Sequence, residues 1–338
     1  MPTIDADAHV IETERTWEYM EETGTKFRPL LVSAQNSERQ FWLIDGRIFS
    51  RGVNVNRKIP AAVREMRDIE ARLRHMDELE IDIQVLYPSL FLRPLTGRPE
   101  IEEALCRSYN RWLADICSGA KGRLRWVAVL PLMSMDVALA EARFARDYGA
   151  CGLFMRGLLD NKLLSDPYFY PLYEEAQGLS LPICVHASTG NFDWVEMFQR
   201  ESGFAKFKLP VLTAFHSIVH DEVPARFPKL RFGFIEVRSQ WVPYVYHELA
   251  KRFEMKGRRL GIEMLKENRL YVACQTDDDL PYVLKYAGED NIVIGSDYGH
   301  ADTSSEIEAL RKLKKGGEIS PYVIDKILCD NPKALYNL

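Results

Sequence analysis

The chain lacks any apolar run approaching the eighteen or so residues of a membrane span, and its opening segment, Met1-Pro2-Thr3-Ile4-Asp5, lacks the basic-then-apolar pattern of an export signal. These absences predict a cytoplasmic protein with no membrane partner. The six cysteines (Cys106, Cys117, Cys151, Cys184, Cys274, Cys329) include no Cys-x-x-Cys pair, which excludes a dithiol redox motif. Several lie in apolar runs such as Leu181-Pro182-Ile183-Cys184-Val185, as suits buried, reduced thiols. Basic charge is not in excess: 44 Lys and Arg against 49 Asp and Glu give a net charge of -5, so there is no bulk attraction to nucleic acid. The densest basic stretch, Lys251 to Arg259, is interrupted by Glu254 and reads as a solvated helix face. The glycines form no phosphate-cradling or dinucleotide fingerprint, so no organic cofactor is indicated. Internal repeats and low-complexity tracts are also missing.

What is present is ordinary core material, 46% apolar and 28% charged residues, arranged as short apolar runs alternating with helical patterns. Eight runs read as strands: Thr3–Asp7, Ile83–Tyr87, Arg125–Leu130, Cys151–Met155, Pro182–His186, Phe232–Glu236, Leu270–Cys274 and Ile292–Gly295. Helices are expected between them, for example over Glu65–Glu80, Val137–Tyr148, Tyr168–Gln177 and Leu280–Ala287. Eight such units predict a closed (β/α)8 TIM barrel, one domain over residues 1–338, with insertions after strands one and five. The first insertion, about 17–64, contains Gln40 to Phe49, a hairpin around an Asp45-Gly46 turn that would cap one barrel end. The second, about 188–228, is long and aromatic, and is expected to form a pocket wall.

Side chains at the C-terminal ends of barrel strands converge on one mouth, and here they are chemically coherent. Asp7 and His9, two apart in an extended segment, point to one face, which is the geometry needed to grip a cation. His186 ends the fifth strand and Asp297 follows the eighth. Two imidazoles and two carboxylates suit Zn²⁺, Mn²⁺ or another first-row divalent ion with a position left for water or substrate. Taken singly, a strand-end His is more often a hydrogen-bonded structural group; the joint placement favours metal binding.

With Ile4-Asp5-Ala6-Asp7-Ala8-His9, Val185-His186-Ala187, Arg226-Phe227-Pro228-Lys229-Leu230-Arg231, Gly295-Ser296-Asp297-Tyr298 and Asp330-Asn331-Pro332 spread from end to end, the chain resembles the decarboxylase-type branch of the amidohydrolase superfamily. That branch includes aminocarboxymuconate semialdehyde decarboxylase and the resorcylate and carboxyvanillate decarboxylases. The resemblance implies a metal-dependent barrel holding one divalent ion on Asp7, His9, His186 and Asp297. It further implies a small carboxylate substrate and association as a homodimer or higher homo-oligomer. Two departures stand out. The first ligand, often His or Glu in such relatives, is Asp7, which makes Mn²⁺ as good a candidate as Zn²⁺. After strand six the decarboxylases carry a His in a His-x-Gly context, whereas Glu236 occupies that place here.

A carboxylate beside a cation accepts a proton better than it donates one, so other proton carriers are sought. His216 and His220 share a helix face, with one expected to reach the pocket, and His300 closely follows Asp297. Arg156 and Arg238 could clamp a substrate carboxylate, or form salt bridges, Arg238 with Glu236 for instance. Tyr87, Trp194, Phe198 and Trp241 could line an aromatic pocket or simply pack, and Gln275 and Asp277 are further pocket candidates. The leading expectation is nonoxidative decarboxylation of a hydroxylated aromatic or conjugated acid. The alternative is hydrolysis of an amide, lactone, ester or carbon–carbon bond by metal-activated water, with Asp297 or Glu236 as base. A barrel that binds a ligand without turnover is the non-enzymatic reading.

Overall fold

The computed structural model describes residues 1–33, 39–52, 54–198 and 200–338. Eleven strands are present in chain order: β1 Ile4–His9, β2 Leu30–Ser33, β3 Gln40–Ile44, β4 Arg47–Ser50, β5 Ile83–Tyr87, β6 Leu124–Ala128, β7 Gly152–Arg156, β8 Ile183–His186, β9 Phe232–Ile235, β10 Leu270–Cys274 and β11 Ile292–Ile294. Eight of them form one parallel sheet in the order β1-β5-β6-β7-β8-β9-β10-β11. The two ends of that order meet. His9 N–H donates to the Tyr298 carbonyl (2.7 Å), Asp297 N–H donates to the Asp7 carbonyl (2.9 Å), and Ala8 bridges Tyr298 in parallel. The sheet is thus closed into the expected (β/α)8 barrel, and all eight predicted strands are its staves.

Where the boundaries differ from expectation, a local cause is visible. β6 stops at Ala128 because the Asn110 side chain takes over Val129, accepting from its N–H (3.0 Å) and donating to its carbonyl (2.9 Å). β9 stops at Ile235 because Glu236 has a left-handed backbone, φ 63°. β11 stops at Ile294 because Gly295 lies against β1: a Cβ there would stand 2.2 Å from Asp7 Cβ. Glycine is therefore what lets the first and last staves approach. The helix expected over 65–80 is shortened to Ile69–Glu78, since Met66 is left-handed (φ 56°) and the Asp68 carboxylate caps the new start, accepting from Ala71 N–H at 2.9 Å.

The first insertion contains the expected hairpin. Asp45 and Gly46 both have positive φ (48° and 72°), as a two-residue turn with the right twist requires. Trp42 and Phe49 face each other across β3 and β4 and are buried with Ile44 in the main core. Trp17 meets the Trp42 ring edge-on at 6.1 Å, tying the sheet to the segment after β1. β2 pairs antiparallel with β3. This third strand is four residues with no buried position, so it left no hydrophobic pattern to read. No helix among the described residues is long and apolar enough to cross a membrane.

Candidate metal centre

Strand geometry places Asp7 and His9 side by side on the barrel interior, both almost completely buried. His9 Nδ1 faces the Pro88 carbonyl at 3.0 Å, and a carbonyl can only accept, so the ring proton is fixed on Nδ1. His186 is fixed the same way by the Ala187 carbonyl, 3.1 Å from its Nδ1. Both Nε2 atoms therefore present lone pairs. Each meets another electron-pair donor: His9 Nε2 is 3.4 Å from Asp7 Oδ1 and 3.3 Å from Asp297 Oδ1, and His186 Nε2 is 3.2 Å from Asp7 Oδ1. Among the described residues, His9 Nε2 has no hydrogen-bond partner although it is buried.

Lone pairs facing lone pairs in a buried space need a cation or extra protons between them. Protons are disfavoured, because burial, aided by the nearby His300, pulls His9 down to about 4. Bonds of about 2.0–2.2 Å to a shared ion set ligand atoms roughly 3.0–3.5 Å apart, which matches the observed spacing. The donor set fits a divalent metal ion.

Three overlapping groups make up the centre, the donor atoms of each lying within 4.8 Å of one another, the third being Glu236, Asp297 and Asp302. Asp7, His9 and His186 converge with Glu236, while Asp297 joins through His9 in a second group with His300 and through Glu236 in the group with Asp302. The four residues read from the sequence as ligands are thus brought together, and Glu236, read as a base, sits among them. Glu236 (φ 63°) and Asp297 (φ 50°) both have left-handed backbones, strain that turns their side chains inward at the strand ends. Glu236 Oε2 is 3.3 Å from His186 Nδ1. Its burial, reinforced by the Asp297, Asp302 and Asp7 carboxylates, pushes its carboxyl well up.

The surrounding shell is specific. Ser305 hydroxyl donates to Asp297 Oδ2, leaving Oδ1 for the centre. His300 Nδ1 is 2.9 Å from Asp297 Oδ1, and its ring stacks on His9 with centroids 3.8 Å apart. Ser89 hydroxyl gives its proton to the Val10 carbonyl (2.7 Å), so it accepts from His300 Nε2 at 2.8 Å. Burial opposes a charged His300, yet Asp297 prevails and raises it. Below the ligands, Asp5 accepts from Ser296 N–H (2.8 Å) and from Gln84 Nε2 (2.9 Å), and Gln84 accepts from the buried Arg72 at 2.8 Å. This chain of hydrogen bonds fixes the β1 and β11 staves that carry Asp7 and Asp297.

A cavity of about 280 Å³ opens onto the centre, lined by Glu236, His300 and Asp302 on that side and elsewhere by Arg93, Lys208, Phe204, Phe207 and several hydroxyl and amide groups. Other candidates lie apart from it. His216 stacks on His220 (5.7 Å) along the helix Leu209–His220, beside Arg252 and Glu248, and neither imidazole joins the centre. Arg238 pairs with Asp277 at 2.7 Å and not with Glu236. Arg156 donates to the Phe91 carbonyl (3.3 Å) and approaches Glu102 (4.0 Å). Trp194 donates to the Ala205 carbonyl (2.9 Å), with its ring tilted against Phe198 at 5.3 Å. Trp241 packs edge-on against Phe215 (4.8 Å), and Gln275 donates to the Ser304 carbonyl (2.9 Å). Tyr87 is fully buried beneath His186, ring centroids 4.9 Å apart, with its hydroxyl 2.7 Å from that of Tyr336. Arg93, just past the turn Leu90–Leu92, and Lys208, at the end of the helical turn Phe204–Lys208, do line the cavity, and no periodicity could reveal that placement.

A curated relative, 2-amino-3-carboxymuconate-6-semialdehyde decarboxylase of Dictyostelium discoideum, is 21% identical over 247 residues, 68% of this chain. The chain spans 66% of that relative's length. Among solved structures, an amidohydrolase of Mycobacterium avium subsp. paratuberculosis superposes with a TM-score of 0.79 at 20% identity over 99% of both chains. A dihydroxybenzoic acid decarboxylase of Polaromonas sp., with bound manganese and the inhibitor 2-nitroresorcinol, superposes with a TM-score of 0.67 at 16% identity over 100% of this chain and 97% of its own. The amidohydrolase family model matches residues 4–338, so the barrel with this cluster at its mouth belongs to an enzyme of the amidohydrolase family.

Proposed function

We propose that the protein is a nonoxidative decarboxylase of a hydroxylated aromatic or similarly conjugated carboxylic acid, dependent on one divalent ion, Zn²⁺ or Mn²⁺. The observation that carries the reading is the convergence of unprotonated donors on Asp7, His9, His186 and Asp297 beside a small cavity. The decarboxylase and manganese-bound relatives support it. When bound, the ion supplies charge stabilisation to the substrate carboxylate and an adjacent hydroxyl oxygen. Residues of this chain do the rest. Glu236 lines the cavity and holds the proton delivered to the carbon that bears the carboxylate. That carbon gains the proton, the carbon–carbon bond breaks, and its electron pair returns to the conjugated system as carbon dioxide leaves. His300, held between Asp297 and Ser89, orients Asp297. Phe204 and Phe207 provide apolar walls for a planar ring. The chain 1–338 works as one unit, with the segment 188–228 furnishing the wall that carries these aromatics.

Release of carbon dioxide from a panel of hydroxybenzoates and conjugated acids by metal-loaded protein tests the reading; no release from any member sinks it. Glu236 in the place of the decarboxylases' His favours hydrolysis as the second reading. Labelled water separates the two, because only hydrolysis or hydration places ¹⁸O in the product.

A further inference from the structure

A second cleft, of about 1270 Å³, shares no lining residue with the cavity at the metal centre. It lies between the turn that follows β1 and the first insertion, and every cation along it is an arginine: Arg15, Arg39, Arg51, Arg57, Arg64 and Arg67. Among the described residues, its carboxylates are two, Glu14 and Glu65. Glu65 is shared, 2.9 Å from Arg67 and 3.7 Å from Arg51, and Glu14 stands 3.9 Å from Arg51. Arg15 and Arg57 are exposed and form no ion pair among the described residues. Arg64 donates from Nη1 to the Ile59 carbonyl, while its Nε is buried without a partner. Six guanidiniums against two carboxylates leave an excess of four positive charges in one cleft of a chain whose net charge is -5. Such charges repel one another, and an anion among them removes the repulsion.

The cleft is formed before any ligand arrives. Arg51 N–H donates to the Gln40 carbonyl (2.9 Å), Asn56 N–H to the Gly299 carbonyl (2.9 Å) and Ile11 N–H to the Arg64 carbonyl (3.1 Å). The segments that carry Arg51, Arg57 and Arg64 are thus pinned to the hairpin and the barrel, which lowers the ordering cost of binding.

We propose that this cleft binds a compact, multiply phosphorylated anion, such as an oligophosphate chain or a polyphosphorylated polyol, at a site separate from the metal centre. A guanidinium meets phosphate oxygens with two parallel hydrogen bonds, and a lining with arginine and no lysine suits that fork geometry. Phosphate groups also concentrate several charges in a small body, whereas carboxylates of equal charge are joined by carbon that needs apolar contact. Ile11 and Val55 are the only apolar side chains along the cleft, and Ile11 is buried, so the surface on offer recognises charge and not a ring or an alkyl chain. The inference does not depend on the decarboxylase reading.

The test is calorimetry with tripolyphosphate, on the protein as purified and again after removal of metal, because polyphosphates also bind divalent ions. The expected result is one site per chain in both preparations. Its affinity should exceed that for tricarballylate at least ten-fold and that for inorganic phosphate a hundred-fold, and should weaken as salt rises. Saturating tripolyphosphate should raise the melting temperature by several degrees. The double variant Arg15→Gln/Arg57→Gln removes two guanidiniums that make no internal ion pair, so its melting temperature without ligand should be unchanged or higher while tripolyphosphate affinity falls ten-fold or more. Binding that requires the metal overturns the proposal, since the anion then sits on the ion. Undiminished affinity in the double variant overturns the location, and tricarballylate binding as tightly overturns the phosphate class. Binding of polyglutamate with no response to tripolyphosphate overturns the small-ligand class in favour of an acidic protein segment.

Discussion

His9 Nε2 and Asp297 Oδ1 lie 3.3 Å apart in the buried mouth of the barrel, and among the described residues the His9 nitrogen has no hydrogen bond. An imidazole lone pair facing a carboxylate oxygen at that separation is held against repulsion by the staves that carry the two residues, and a cation would relieve the conflict.

Removing the ion should therefore cost stability as well as activity. A ligand present at a hundred times its dissociation constant contributes about 2.7 kcal/mol, so chelation is expected to lower the melting temperature by several degrees, reversed by adding metal back. Asp297→Asn and His186→Ala should each lose bound metal, measured by elemental analysis, by more than the ~10–100-fold typical of changes to outer-shell partners. Full occupancy in both variants would show that the ion sits elsewhere.

Glu236→Gln keeps the size and the left-handed backbone demand of the residue but removes its proton. If Glu236 is the proton carrier, kcat should fall by about 10²–10⁴ while metal content and substrate affinity change little. A variant that loses metal and activity together would make Glu236 a ligand only.

Glu12 lies under the active-site loop, where its carboxylate accepts from Ser89 N–H (3.1 Å) and Leu90 N–H (3.0 Å). Burial outweighs these bonds and lifts it from 4.5 to about 7. The folded protein therefore holds this proton in a range where the unfolded chain has lost it. Stability falls as pH rises through roughly 4.5 to 7 and is level above, with an upper bound on the order of 3 kcal/mol. Urea denaturation across that range should show the slope in the wild type and a flatter profile in Glu12→Gln. An identical slope in both would remove Glu12 as its source.

Tyr336 hydroxyl donates to the Ala6 carbonyl (2.7 Å), and Tyr87 hydroxyl stands 2.7 Å from Tyr336 hydroxyl, a relay beneath the ligands and not a pocket wall. Tyr87→Phe is expected to cost about 1 kcal/mol in denaturant stability and to leave carboxylate affinity unchanged within two-fold. A large affinity loss without destabilisation would place Tyr87 against the substrate after all.

The eight staves were legible because each is a short apolar run whose residues face either the barrel interior or the helices, and Asp7, His9, His186 and Asp297 were legible because strand ends converge whatever the loops do. The Asp45-Gly46 hairpin was legible from turn chemistry. The strand Leu30–Ser33 was not, since it buries little. Pairing of Arg238 with Asp277, and the isolation of His216 from the centre, depend on how loops and outer helices pack, which single-chain periodicity does not encode.

The seam where β1 meets β11 also sets when the protein becomes competent. Asp5 and Ser296, joined by hydrogen bonds across it, are 291 positions apart, and the proposed ligands Asp7 and Asp297 flank them. During synthesis the first stave must wait for nearly the whole chain before its partner exists. A ribosome-bound chain halted before Asp297 has an open sheet edge and three of the four proposed ligands, so on the proposed reading metal capture would come as a late event in folding and report that the barrel has closed.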